Sequence, residues 1–313
     1  MTEASTVIVN YHYCRSGRQN GTGVSPQIFD AHVATLAERF EPLDVETLSR
    51  SGNGNCGQRF LLTFDDGSRD VVERVLPVLK KHAAPCIAFC CSQPYLDRRV
   101  LNVQKVHLLN EHWGWREFRS KFLAALDVDP RGRDREACAP PGLDVMYRYD
   151  DSETAAFKRL LNVELPYEVV TRVLDRLFES VFGPQDIVVD ELYMSLDDIR
   201  RCADAGIVIG IHTHSHCMLS RLSPDEQARE IDLPLQLFRE QLGIPVTFLS
   251  YPYGIRGSWN DHTKIVAASR GVRAAFTLGR SIYCDDPNAD PLEIPRFDVN
   301  DVFAQDGSLK LPA

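Results

Sequence analysis

Three short apolar runs in this chain stop abruptly at side chains that a core does not accommodate. Phe60-Leu61-Leu62-Thr63-Phe64 stops at Asp65-Asp66-Gly67, and Val208-Ile209-Gly210-Ile211 stops at His212-Thr213-His214-Ser215-His216. Val246-Thr247-Phe248-Leu249 stops at Ser250-Tyr251-Pro252-Tyr253-Gly254. Runs this short and this apolar read as strands buried on both faces, the kind that parallel sheets use under a cover of helices. Val7-Ile8-Val9, Cys86 to Cys90 and Ala274 to Thr277 read as further strands.

The segments between them supply the helices. Ser25-Pro26 opens an N-capped amphipathic helix through Ile28, Phe29, His32, Leu36 and Phe40. Val71 to His82, Leu196 to Ala205 and Asp261 to Ser269 are helical as well. Pro224 to Leu242 is a long helix that Pro234 is expected to kink. Strand, helix, strand in this rhythm is the α/β class with a parallel sheet, whose chemistry sits at the C-terminal strand ends.

The rhythm pauses once. Residues 93–192 hold helix-like segments at Glu117 to Leu126, Ser152 to Asn162 and Tyr167 to Phe182, around a Pro-, Gly- and Arg-rich connection at Asp129 to Gly142. The expected organisation is a discontinuous catalytic domain, 1–92 and 193–313, with a mostly helical insertion at 93–192 that can fold over the site as a lid. The insertion's His112-Trp113-Gly114-Trp115 reads first as core and second as a sugar-stacking patch.

Composition narrows the partners. Lys plus Arg numbers 35 against 44 Asp plus Glu, a net charge of −9, which speaks against nucleic acid. No run approaches the roughly 20 apolar residues of a membrane span. Glu3 and the brief run Val7 to Val9 do not make a secretory signal, so a cytoplasmic location is expected. The nine cysteines are odd in number and contain no Cys-x-x-Cys pair, which suits reduced, buried thiols.

Of the motifs, Asp65-Asp66 offers one carboxylate to a metal and its neighbour to a proton, or else simply caps the Val71 helix. His212 and His216, four residues apart, can meet one ion, and a carboxylate completes a three-ligand set with an open position for water. The alternative is a solvated polar turn. His214, at i+2, is expected to face away.

In this order the motifs resemble the polysaccharide deacetylase (NodB-homology) superfamily, the metal-dependent carbohydrate esterases of family four. The resemblance rests on Thr-Phe-Asp-Asp-Gly at 63–67, His-Thr-x-x-His at 212–216 and Tyr-Pro-Tyr-Gly at 251–254. Asn-Tyr-His at 10–12, Gly23-Val24-Ser25-Pro26 and Leu219 to Ser223 support it. It implies a distorted (β/α) barrel and one divalent ion held by Asp66, His212 and His216, zinc first, with Co, Ni, Fe or Mn as alternatives. It also implies Asp65 as general base and the Tyr253 backbone N–H as an oxyanion donor. The family's Arg-x-Pro-Tyr pattern has its Arg where this chain has Ser250, and its C-terminal Leu-x-His is missing. Arg296, in Ile294-Pro295-Arg296, and His12 are the expected replacements, as in the Tyr-Pro-Tyr-Gly subgroup with an N-terminal His.

The resemblance implies removal of an acetyl group from an N-acetylated amino sugar. The insertion points to a small acylated sugar, sugar nucleotide or glycoside, and the oligomeric state is left open. Hydrolysis of another C–N bond (cyclic amide, imide or formamide) and a catalytically weak carbohydrate-binding protein are the competing readings.

Overall fold

The computed structural model describes residues 5–15, 23–48, 58–134, 147, 150–284, 286, 288–304 and 307–310. Most of the 129–142 connection, Cys56 and Cys138 therefore lie outside the described residues. All seven described cysteines are free, and six are buried.

Seven strands, β1 (Ser5–Tyr11), β2 (Gln58–Phe64), β3 (Cys86–Cys90), β4 (Val208–Ile211), β5 (Phe248–Ser250), β6 (Ala274–Thr277) and β7 (Ile294–Pro295), lie side by side in sequence order. Each pairs parallel with the next. Phe297–Asp298 then pairs parallel with β1, matching Val9 to Phe297 and Asn10 to Asp298. One residue, Arg296, separates the segment that pairs with β6 from the segment that pairs with β1. The chain crosses the seam there, and the sheet becomes the distorted (β/α) barrel that the resemblance implies.

Alternation along the strands sorts the side chains. Val7, Val9, Tyr11, Phe60, Leu62 and Phe64 join the outer core beneath the helices. Ile8, Leu61, Ile87, Phe89, Phe248, Phe276 and Ile294 fill the barrel interior. Continuing inward at the C-terminal ends come Asn10, Thr63 and Asp65, all buried. The interior is thus apolar at one end and polar at the other. A Cβ on Gly210 would lie 2.4 Å from the Phe89 ring, so β4 needs glycine for that ring to enter.

Among the described residues, the α-helices longer than four residues are α1 (Pro26–Arg39), α2 (Leu76–His82), α3 (Asn102–Asp127), α4 (Ser152–Arg159), α5 (Tyr167–Phe182), α6 (Gln185–Leu192), α7 (Leu196–Asp204), α8 (Pro224–Leu242) and α9 (Asp261–Ser269). Ser25 accepts the Ile28 N–H at 3.2 Å and caps α1. Ser195 with Asp198 and Ser223 with Glu226 form capping boxes on α7 and α8. The stretch expected as one helix from Val71 opens as a π-turn, Val71–Val75, before α2; Pro77 has no N–H to close an α-turn on Glu73. The strand expected at 246–249 is shifted to Phe248–Ser250.

Helices α3 to α6 pack on a core of their own that includes Leu109, Phe118, Phe122, Phe157, Val173 and Phe178. Gly114, at φ 74°, breaks α3 between two tryptophans. Trp113 and Trp115 pack against this core, each under a lysine ammonium. No described helix is long and apolar enough to cross a membrane.

Candidate active site

β2 ends at Phe64, and Asp65 extends its ladder by donating its N–H to the Tyr11 carbonyl at 3.0 Å. Asp66 and Gly67 follow, each at φ 70°. Two left-handed residues in succession turn the chain sharply, so adjacent carboxylates leave the strand in different directions. A non-glycine residue held there stores about 1–3 kcal/mol of strain, of the kind that clusters at functional sites. Neither carboxylate caps the following helix, since Asp70 precedes it and is paired with Arg15 and Arg74.

Asp65 turns into the barrel. Arg296 grips it with both arms, Nη1 to Oδ1 and Nη2 to Oδ2 at 2.9 Å each. The guanidinium is fully buried against the rings of Phe89 and Phe276. It also donates to Asn10 Oδ1 at 2.9 Å, Thr63 Oγ1 at 3.0 Å and Ser250 Oγ at 2.7 Å. Burial by itself would raise the pKa of Asp65, but the Arg296 charge, helped by His212 and His12, overrides it and holds the carboxyl well below the usual range. Asp65 is therefore ionised at neutral pH. Ser250 is small enough to leave room for this cation, which arrives from the seam instead of from the end of β5.

Asp66 turns towards the histidines. Its Oδ1 lies 3.6 Å from His212 Nε2 and 3.5 Å from His216 Nε2, beyond hydrogen-bond length. Both of its oxygens are buried without a hydrogen-bond partner. A buried carboxylate left this way is costly unless a cation joins it. His212 Nδ1 lies 2.8 Å from the Ser250 carbonyl, which can only accept, so Nδ1 carries a proton and Nε2 is the nitrogen turned towards Asp66. Burial pulls the His216 pKa down to about 4, against the pull of Asp66 in the other direction, so this imidazole is neutral. The ligand atoms of Asp66, His212 and His216 all lie within 4.8 Å of one another. One carboxylate and two imidazoles form a three-ligand set that suits zinc and leaves a position open.

The histidine loop is held from both sides. Thr213 and His216 sit at φ 64° and 59°. Glu230 of α8 accepts the N–H groups of His214 at 3.0 Å and Ser215 at 2.9 Å, and the Ser215 hydroxyl at 2.7 Å. His214 does face away from the ion site, its ring bridging Ser92 Oγ at 2.9 Å and Asp97 Oδ2 at 3.1 Å. Ser92 is fully buried, so this Ser–His–Asp chain anchors the loop and presents no nucleophile. Replacing Glu230 by Gln is expected to weaken zinc binding by up to about 10–100-fold, the loss seen when a group bonded directly to a metal ligand is removed, because Glu230 holds the loop between His212 and His216. Isothermal titration on folded protein measures it, and an unchanged dissociation constant would remove Glu230 from the site's support.

Tyr253 and Gly254 are left-handed too, at φ 66° and 61°. A Cβ on Gly254 would come within 2.8 Å of the Leu278 nitrogen, whose N–H it needs to receive at its carbonyl. The Tyr253 ring lies 5.1 Å from that of His216. His12, half-buried just past β1, joins Asp65, His212, His216, Tyr253 and Arg296 around one cavity of about 810 Å³. Asn10 and Thr63 entered the sequence reading only inside their motifs, with no role assigned, and Glu230 was not singled out. Only the inward alternation of β1 and β2 signals the first two, and Glu230 lies on a helix with no pattern of its own.

A family model described as polysaccharide deacetylase matches residues 53–112 and 181–275. No curated protein matches the chain. Among solved structures, a deacetylase named PplD from Streptococcus pyogenes, in complex with acetate, is similar at a TM-score of 0.57 and 16% identity, covering 95% of this chain and 93% of its own. IcaB from Ammonifex degensii gives 0.56 and 16%, covering 95% and 92%. The BpsB deacetylase domain from Bordetella bronchiseptica gives 0.51 and 14%, covering 94% and 95%. At these identities the likeness is one of fold.

Proposed function

We propose that this chain, which carries a polysaccharide deacetylase domain over residues 53–112 and 181–275, is a metal-dependent hydrolase that removes the acetyl group from the nitrogen of an amino sugar. The observation that carries this reading is the buried Asp66 carboxylate, without a hydrogen-bond partner, facing the Nε2 atoms of His212 and His216.

When bound, a divalent ion supplies a Lewis acid for the acyl carbonyl and lowers the pKa of water. Asp65, ionised and 4.0 Å from His212 Nε2, accepts the proton of the attacking water. The Tyr253 N–H stabilises the negative charge that grows on the carbonyl oxygen. As the C–N bond breaks, His12 gives a proton to the leaving nitrogen. The products are acetate and a free amine, with the proton from water returned to the site.

The finer reading is a small substrate. A cavity of about 810 Å³ falls in the range for small ligands. Val103, Val106, His107 and Asn162 of the 93–192 segment supply part of its wall, which leaves less room for a long chain. We read 93–192 as an insertion into a discontinuous barrel domain on the same ground.

Purified chain is expected to contain about one divalent ion, and to release acetate from di-N-acetylchitobiose or a UDP-linked N-acetylhexosamine only while that ion is present. Elemental analysis and mass spectrometry of the products check this before and after chelation. Activity that survives complete metal removal would refute the reading. Formate or a ring-opened product in place of acetate would move it to another C–N bond.

A further inference from the structure

The helical segment after β3 touches three of the loops that border the site. His107 Nδ1 lies 3.0 Å from the hydroxyl of Tyr13, next to His12. The Tyr167 hydroxyl donates to the Ser215 carbonyl at 3.1 Å, inside the histidine loop. The Tyr253 hydroxyl donates to Asn162 Oδ1 at 3.2 Å. The last contact reaches a residue whose backbone is left-handed. A bulky aromatic at φ 66° is held there only where its surroundings over-determine it.

Asn162 is itself firmly placed. It lies in the π-turn Leu160–Glu164, an irregularity frequent at functional sites. Its Nδ2 donates to the Tyr147 hydroxyl at 2.9 Å, and Arg221 of the barrel donates to its carbonyl at 2.5 Å. Its neighbour Val163 packs with Met218 and Ile255, and Tyr253 lies against that cluster. A fixed acceptor thus meets the free end of the Tyr253 side chain.

We propose that Asn162 is a positioning residue, which through the Tyr253 hydroxyl keeps the 253–254 turn left-handed and so holds the Tyr253 N–H at the place where the acyl oxygen becomes charged. This rests on the deacetylase reading for its catalytic consequence, but not for its structural one. The segment 93–192 then acts as a built-in wall of the site.

The test compares zinc-loaded, full-length wild type with Asn162→Leu, Tyr253→Phe, the double variant and Asn162→Asp, which keeps the acceptor oxygen. Two readouts are taken: kcat and KM for acetate release from di-N-acetylchitobiose, and amide deuterium exchange of the 251–256 peptide. Asn162→Leu and Tyr253→Phe are each expected to lower kcat about tenfold with KM changed less than about twofold. The double variant should be no worse than either single one, because both remove the same bond. Exchange at 251–256 should quicken in all three, and Asn162→Asp should restore both readouts. Unchanged kcat and exchange in Asn162→Leu, or losses that multiply in the double variant, would overturn the proposal. If wild type deacetylates nothing, exchange alone decides: quickened exchange upholds the positioning and unchanged exchange overturns it. In that case the failure belongs to the deacetylase reading.

Discussion

Asp65→Asn is expected to retain about one metal ion per chain while acetate release falls by about 10²–10⁴-fold; Asp66→Ala is expected to lose both the ion and the activity. The two residues are adjacent, yet the paired left-handed turn at Asp66 and Gly67 gives them separate surroundings. Asp65 spends its charge on Arg296, and both oxygens of Asp66 are left without a donor. An amide at 65 keeps an acceptor for the guanidinium but takes no proton at neutral pH. An alanine at 66 leaves two imidazoles, too few for a three-ligand site. Elemental analysis beside an acetate assay reads both variants. Full turnover by Asp65→Asn would sink its role as the base, and a full complement of metal in Asp66→Ala would sink the ligand set.

Arg296→Met is expected to destabilise the fold by about 3–5 kcal/mol, because a buried carboxylate is left without its cation. The same change strips donors from Asn10, Thr63 and Ser250. The pH dependence has a definite sign. Asp65 is held below its unfolded pKa, so its stabilising contribution is fully present above that value and is lost as pH falls through the folded one. In the variant, burial acts without the cation and raises the Asp65 pKa. The stability gap between wild type and variant should therefore be widest near neutrality and narrow below about pH 4. Urea unfolding at several pH values measures it. Adding Ser250→Arg, which returns a cation to the position used by the family's own pattern, should recover part of the loss. A gap that stays constant with pH would detach the effect from Asp65.

How much was legible beforehand follows from what each feature depends on. Six of the seven barrel strands and most of the helix positions were readable because each is decided by a few consecutive residues, apolar runs for strands and Ser25-Pro26 for a helix start. Ile294–Pro295 and Phe297–Asp298, which close the barrel, are too short to make such a run. The departures were local as well. Pro77 altered the turn type at Val71–Val75, and β5 slid two residues towards Ser250, where pairing with β6 continues to Phe276. The resemblance could name Asp66, His212 and His216 because a strand end followed by a fixed motif brings its own geometry.

The sequence by itself determined the α/β class, the order of the strands' motifs and the pairing of acidic and imidazole side chains at strand ends. Those are matters of short-range pattern, and hydrophobic alternation enforces them. The resemblance named Arg296 as the replacement cation, but only the tertiary structure decided how it reaches Asp65, which group steadies the histidine loop and what borders Tyr253. Arg296 reaches Asp65 from 231 positions away because the barrel closes at the seam where Arg296 sits. Glu230 and Asn162 meet the site from helices that no motif marks. Contacts of that kind depend on how separate elements pack, and the spacing along one chain does not encode them.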